Sequence, residues 1–330
     1  MDIPAEVVQA KRLAEFGLLA LPGVVGVGLG MHEAEGEFFD ELSVVIYVQD
    51  AVGVPDGLPE EIGGVRVCVV ERTVEPCGSP DTARYPSVQG GIAIKNPSKG
   101  MGTLGAVVVD AQSLERFGLS CFHVVGDPQV GFPFSIWQPD HPPLTPAALK
   151  DDNLGEVERV DFPRTPPLPF SPLQVGLTDA ALIRLDVAAG AGRSPAPAIA
   201  GNGLGQANLV DAVTATADLD APGWLPHRVR TRGFTTGTPV QGLAIRRFVT
   251  INWEPGGSDT YLMDQVEVLG DGIFGQPGDS GSLVLDAAVP TAVGLLWGRN
   301  KGGFAPAGKF GYFSDIRAVQ ARLGFSTVWP

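Results

Sequence analysis

Cysteine is scarce in this 330-residue chain, and so are histidine and positive charge. The 3 cysteines, Cys68, Cys77 and Cys121, are odd in number and irregularly spaced, so no disulfide framework is legible. No C-x-x-C pair exists and the 4 histidines, His32, His123, His141 and His227, are scattered, which argues against a bound metal. Lys and Arg number 23 against 37 Asp and Glu, a formal net charge of −14. That balance lacks the basic stripes that phosphate backbones demand, so nucleic acid is excluded as a partner. It equally disfavours anionic membrane surfaces. No run approaches the ~20 apolar residues of a membrane span. The amino terminus, Met1-Asp2-Ile3-Pro4-Ala5-Glu6, carries neither the basic region nor the apolar stretch of a secretory signal. With no leader and no disulfide staples, the expectation is a reducing, cytoplasmic setting.

Glycine and proline, by contrast, are abundant at 44 and 29 residues, which suits an all-β protein with many turns. Apolar residues make up 44% and charged residues 18%, so the chain is not disordered. Its length allows one large or two ordinary domains.

Residues 1–80 read as a small α+β unit. Residues 4–17 place Val7, Val8, Leu13 and Phe16 on one side of a helix, and strand-like runs come next at 24–29, 42–48 and 65–70. The proline-bearing stretch Glu75 to Ser87 is the expected linker. The unit is expected to pack against the rest of the chain rather than to inhibit it. From residue 81 to 330 the pattern is short strands broken by Gly and Pro: 88–95, 103–110, 114–121, 134–138, 154–160, 179–186, 228–233, 239–251, 262–268, 282–286, 291–297 and 309–313. A dozen such strands suggest a two-barrel, antiparallel Greek-key domain of six strands each. Residues 139–175, dense in proline, and alanine-rich 187–200 read as loops. A last helix over 315–323 carries Ile316, Val319 and Leu323 at helical spacing.

The chemistry is concentrated in Gly278-Asp279-Ser280-Gly281-Ser282, with Leu283-Val284-Leu285 directly after it. A glycine-flanked turn can present the Ser280 hydroxyl clear of the backbone and aim successive N–H groups at one point. Alone it is a weak signal, since these are ordinary turn residues. A serine nucleophile needs a base, and the base needs an orienting carboxylate. His123, in Leu119-Ser120-Cys121-Phe122-His123-Val124-Val125, closes an apolar strand. Asp179 opens Asp179-Ala180-Ala181-Leu182-Ile183-Arg184-Leu185. Asp186, at the far end of that run, is the rival acid. An α/β-hydrolase elbow, G-x-S-x-G, would need glycine where Ser282 stands, and no βαβ alternation surrounds it.

These three motifs, in the order His, Asp, Ser, resemble those of trypsin/chymotrypsin-clan serine peptidases of bacterial type. The histidine turn departs from the family's usual small pair at Cys121 and Phe122. Ala292-Val293-Gly294-Leu295-Leu296-Trp297-Gly298 and Gly311-Tyr312-Phe313-Ser314-Asp315-Ile316 also fit, so the likeness spans roughly residues 85–330. The resemblance implies a trypsin-like double β-barrel and a serine endopeptidase with His123 as base, Asp179 as orienting acid and Ser280 as nucleophile. It implies an oxyanion hole from the N–H groups of Gly278 and Ser280. It implies a substrate pocket from Phe274, Gln276, Leu296, Trp297, Gly298 and Gly311, with a protein or peptide as substrate and no cofactor or metal. Oligomer formation is compatible with all of this. Phe274 stands where an acid would select Arg or Lys, so apolar side chains of small or medium size are expected instead. The rival possibility there is that Phe274 fills the pocket. In animal relatives the counterpart of Asp279 pairs with an amine released by cleavage. Val88-Gln89-Gly90-Gly91 only faintly resembles such a start, so an internal partner for Asp279 is expected. The readings that compete with a peptidase are a catalytically silent scaffold or protein-binding module, and an esterase.

Overall fold

The run Val44-Val45-Ile46-Tyr47-Val48 shows no alternation of apolar and polar residues, and the chain buries it on both faces. It belongs to the strand Glu37–Val48 in the computed structural model, which describes residues 3–34, 36–49, 53–72, 74–75, 85, 87–126, 135–138, 152–164, 173–186, 194–200, 209–253, 259–302 and 305–327. Val44, Ile46 and Val48 share a core with Val7, Leu18 and Leu19 of the helix Ala5–Leu19. Val45 and Tyr47 face the other way, into the main core. A strand covered on both sides needs a continuous apolar run. It pairs antiparallel with Val24–Ala34 and parallel with Val65–Glu71, which also holds the two-residue strand Glu61–Ile62. The helix and three strands expected here are all present, and two of the strands run five residues longer than their apolar cores.

The free edge of Val24–Ala34 is hydrogen-bonded to the long strand Val240–Asn252, with Gly26 opposite Ile251 and Gly30 opposite Arg246. The contact needs glycine. A Cβ on Gly30 would lie 2.4 Å from the Ile245 carbonyl oxygen, and one on Gly26 would lie 2.8 Å from that of Thr250. The N-terminal strands therefore continue a sheet that begins in the second barrel. The expected boundary at 80/81, and most of the expected linker, lie outside the described residues, as does Cys77.

The first barrel closes through a corner. Ile92–Lys95 pairs with Met101–Leu104, and the sheet runs on through Ser135–Trp137, Asn153–Asp161, Ala180–Leu185 and Arg116–Ser120 to Ala106–Asp110. Met101–Leu104 and Ala106–Asp110 are one chain bent at Gly105, so six strands ring a core that includes Ile92, Leu104, Phe117, Leu119, Leu154 and Leu182. The second barrel closes by hydrogen bonds. Its ring is His227–Thr231, Val240–Asn252, Thr260–Gly270, Phe310–Asp315, Thr291–Asn300 and Leu283–Asp286, then back to His227–Thr231. The last helix, Ile316–Leu323, is capped by the Asp315 carboxylate on the Arg317 N–H and ends at Gly324 in the left-handed region.

Several expectations change, the bend of 103–110 at Gly105 among them. The alanine-rich stretch holds a strand, Ser194–Ala200, parallel to Ser87–Gly90 and antiparallel to Leu209–Ala212. Pro195 and Pro197 argue against a strand there, and no apolar alternation signals one. The run 88–95 breaks at Gly91, whose φ of 81° separates Ser87–Gly90 from Ile92–Lys95. Of the proline-dense stretch, 139–151 and 165–172 lie outside the described residues. The rest forms Asn153–Asp161 and the short strand Gln174–Gly176.

The joint between the N-terminal sheet and the second barrel is ionic. Buried Arg246 pairs with Glu267 and, at 2.8 Å, with Glu33; Arg72 reaches Glu33 at 2.7 Å. Tyr47 and Tyr312 donate to Glu267 at 3.1 and 2.7 Å. Burial works to raise the Glu267 carboxyl, but Arg246 and Arg72 hold it below the usual carboxylate range.

Candidate active site

The strand Arg116–Ser120 ends at the rim of the first barrel and passes into a single helical turn, Phe122–Val125, that carries His123. Ser120 lies opposite Ala181 of the neighbouring strand, so Asp179 stands beside the histidine turn. Asp179 is fully buried. Its Oδ1 accepts the His123 backbone N–H at 3.0 Å, and its Oδ2 is hydrogen-bonded to His123 Nδ1. A third donor, the Trp253 indole Nε1, reaches Oδ2 at 2.8 Å. Asp186 lies seven residues further along, roughly 23 Å away at the ~3.3 Å rise of a strand, and its N–H is spent on the Leu154 carbonyl.

The serine turn is locked by its glycines. Gly278 and Gly281 have φ of 102° and 94°, in the region that suits glycine. There is also no room for a side chain. A Cβ at Gly281 would sit 2.2 Å from the Thr103 carbonyl oxygen, and one at Gly278 would sit 2.4 Å from the Phe234 ring. The turn is docked on the elements that carry the histidine. The Thr103 N–H donates to the Ser280 carbonyl at 2.8 Å. The Leu296 carbonyl accepts the Gly281 N–H at 2.8 Å and the Cys121 thiol at 3.3 Å. Serine turn and histidine turn thus meet at one carbonyl between the barrels. Ser280 Oγ is buried and donates to the Trp297 carbonyl at 2.9 Å. His123 Nε2 is buried without a hydrogen-bond partner among the described residues. Such bonds are often unmade before substrate arrives.

Asp279 has internal partners. Its Oδ1 accepts the N–H groups of Thr235 and Thr236, both at 3.1 Å, and its Oδ2 accepts that of Gln276 at 2.9 Å. Burial pushes its carboxyl up to about 6, against those donors and the charge of Arg232. Val88 to Gly90 lie inside a strand, hydrogen-bonded to Ser194–Ala200.

The residues expected to line a substrate pocket divide. Leu296, Trp297 and Gly298 lie in the strand beneath the serine turn, and Gln276 is exposed, its N–H held by Asp279. Phe274 is fully buried in a core with Val268, Leu296 and Phe313. Its ring lies 2.5 Å from where a Cβ on Gly311 would be, so it occupies the space that Gly311 leaves.

Two buried residues near the site carry no sequence signal. Trp253 belongs to no motif; only its reach to Asp179 reveals it. Gln265 accepts the Trp297 indole N–H at 2.9 Å and donates to the Leu177 carbonyl at 2.9 Å, tying the strand under the serine to the acid's loop. Cys121, His123 and Asp179 are the group of metal-ligand types that converges among the described residues, their ligand atoms all within 4.8 Å of one another. The Asp179 oxygens already accept three N–H groups, so a cation would have to displace them.

No protein-family model and no curated protein matches the chain. Among solved structures it is similar to Thermobifida fusca Protease A, with 14% identity and a TM-score of 0.48 over 74% of this chain and 100% of the other. It is similar to Cellulomonas bogoriensis chymotrypsin, with 15% identity and a TM-score of 0.46 over 74% and 100%. It is similar too to the HtrA-type protease AlgW, solved with a tripeptide, with 13% identity and a TM-score of 0.35 over 69% and 57%. The chain's own strand pairing makes a mainly β double barrel with a helix near each end.

Proposed function

We propose that the chain is a serine endopeptidase acting through an acyl-enzyme. The observation that carries the reading is the pairing of buried Asp179 with half-buried His123, set against a glycine-locked serine turn across the Leu296 carbonyl. His123 takes the Ser280 proton as the hydroxyl turns from the Trp297 carbonyl to attack a scissile carbonyl carbon. Asp179 fixes the imidazole tautomer and stabilises its cation. The N–H groups of Gly278 and Ser280 receive the oxyanion. His123 then protonates the leaving amine, and water releases the acyl group. The substrate is a protein or peptide. Phe274 offers no countercharge for Arg or Lys, and a filled pocket leaves small apolar side chains and backbone pairing to set specificity. Residues 1–80 support residues 81–330 as a brace. A reducing, cytoplasmic setting accords with Cys68 and Cys121, which are buried free thiols.

A silent scaffold would have no use for a fully bonded acid and an unpartnered imidazole nitrogen. A fluorophosphonate probe separates the two readings: label on Ser280, lost in Ser280→Ala and strongly slowed in His123→Ala, is expected. Peptide and ester substrates then divide peptidase from esterase. Either single substitution should lower kcat by on the order of 10⁴- to 10⁶-fold, with the double variant little worse. Wild-type proteolysis by Ser280→Ala would end this reading.

A further inference from the structure

Asp179 takes one more donor than the histidine supplies. His123 provides two N–H groups, from its backbone and from Nδ1, and both belong to one residue. They leave the carboxylate free to follow the histidine turn wherever it moves. The third donor comes from the other barrel. Trp253 directly succeeds the strand Val240–Asn252, is 6% exposed, and meets the His123 ring edge-on at a centroid distance of 6.4 Å. Its backbone is fixed as firmly as its ring: the Trp253 N–H donates to the Thr260 carbonyl at 2.8 Å, closing the hairpin with Thr260–Gly270. That hairpin also carries the approach to the acid, because Gln174–Gly176 pairs with Thr260 to Leu262 just before Asp179. Three residues ahead of Trp253, Thr250 accepts from Lys11 Nζ at 2.9 Å and donates to Glu15 Oε2 at 2.8 Å, both buried on the N-terminal helix. The indole is therefore a rigid donor on a braced strand.

We propose that Trp253 is a positioning residue for the reaction, locking the Asp179 carboxylate from the second barrel so that His123 Nε2 faces the serine turn. The proposal rests on the serine-peptidase reading above. A carboxylate that loses one of three donors becomes more basic, stabilises the imidazolium more strongly and is no longer tied to the second barrel. Misplacement of a catalytic group by about 1 Å costs on the order of a hundredfold in rate.

The test uses the full chain in two forms, Trp253→Phe and Trp253 replaced by β-(3-benzothienyl)alanine, which keeps the indole shape without the N–H. In the benzothienyl form kcat is expected to fall by on the order of ten- to a hundredfold with KM within about twofold. The acidic limb of the kcat profile should move to higher pH, and the downfield proton resonance of His123 Nδ1–H should shift, at an unchanged Tm. A benzothienyl form with wild-type kcat, pH profile and resonance overturns the proposal, even where Trp253→Phe is impaired, since only packing would then be at stake. A wild-type chain that fluorophosphonate fails to label sinks the nucleophile assignment separately. The His123 resonance would still report on Trp253, because it requires no turnover.

Discussion

At the scale of the residue, Asp279 shows how one carboxylate can organise a loop. Its ionised form gathers three N–H groups from residues 235, 236 and 276, and so shapes the approach to Ser280. Burial nonetheless raises it from 3.8 to about 6. A carboxyl raised in the folded state stabilises the fold below the unfolded value and loses that contribution as pH rises through the folded one. Between pH 4 and 7 wild type should therefore lose roughly 2 kcal/mol relative to Asp279→Asn, read from denaturant midpoints across that range. A parallel pH dependence in the two proteins would show that Asp279 titrates as an ordinary carboxyl. Phe274 makes a second prediction at this scale. Its ring fills the space at Gly311, so substrates with Ala or Val N-terminal to the cut should exceed Arg and Lys in kcat/KM. Chromogenic peptides differing only at that side chain decide it, and a tenfold preference for Arg or Lys would contradict the placement. The meeting of His123 with Asp179 and the glycine-flanked turn at Ser280 were legible because each sits in a short local pattern. Trp253 was not, because its partner lies 74 positions away in sequence and an isolated tryptophan at a strand end has no pattern of its own.

At the scale of the element, the long strand Val240–Asn252 is shared among His227–Thr231, Thr260–Gly270 and Val24–Ala34. Local periodicity revealed nearly every barrel strand, because each alternates or carries a compact β-branched run. The closure of the rings was legible only as a count of strands. What escaped was the third neighbour of Val240–Asn252: edge pairing leaves no mark in a sequence beyond the glycines at 26, 28 and 30, which also read as loop residues. Where that edge meets the barrel, Glu267 faces Arg246 and Arg72 in a site closed to water. Glu267→Gln removes the negative charge and leaves two buried guanidiniums with only Glu33 between them. The expected loss is about 3–5 kcal/mol in urea unfolding. Replacing Arg246 and Glu267 together by Met and Leu should cost less than Glu267→Gln alone. A double variant that fares worse would mean that the pair stabilises by more than mutual neutralisation.

At the scale of the whole molecule, the N-terminal segment and the second barrel share a sheet, a core face and an ion network. Deleting residues 1–80 should therefore lower Tm and lower kcat/KM together, because the strand that ends at Trp253 loses its outer neighbour. A rise in activity on deletion would make the segment an inhibitor instead. The same pairing also sets an order in time. Gly26 finds its partner at Ile251. A ribosome adding about 5–20 residues per second needs roughly 10–45 s to cover that separation. Through that interval the Val24–Ala34 edge and the Val45–Tyr47 face stand without their cover, in a segment whose own helix protects only the opposite side. The nascent chain should accordingly be a client of holding chaperones until its last third emerges.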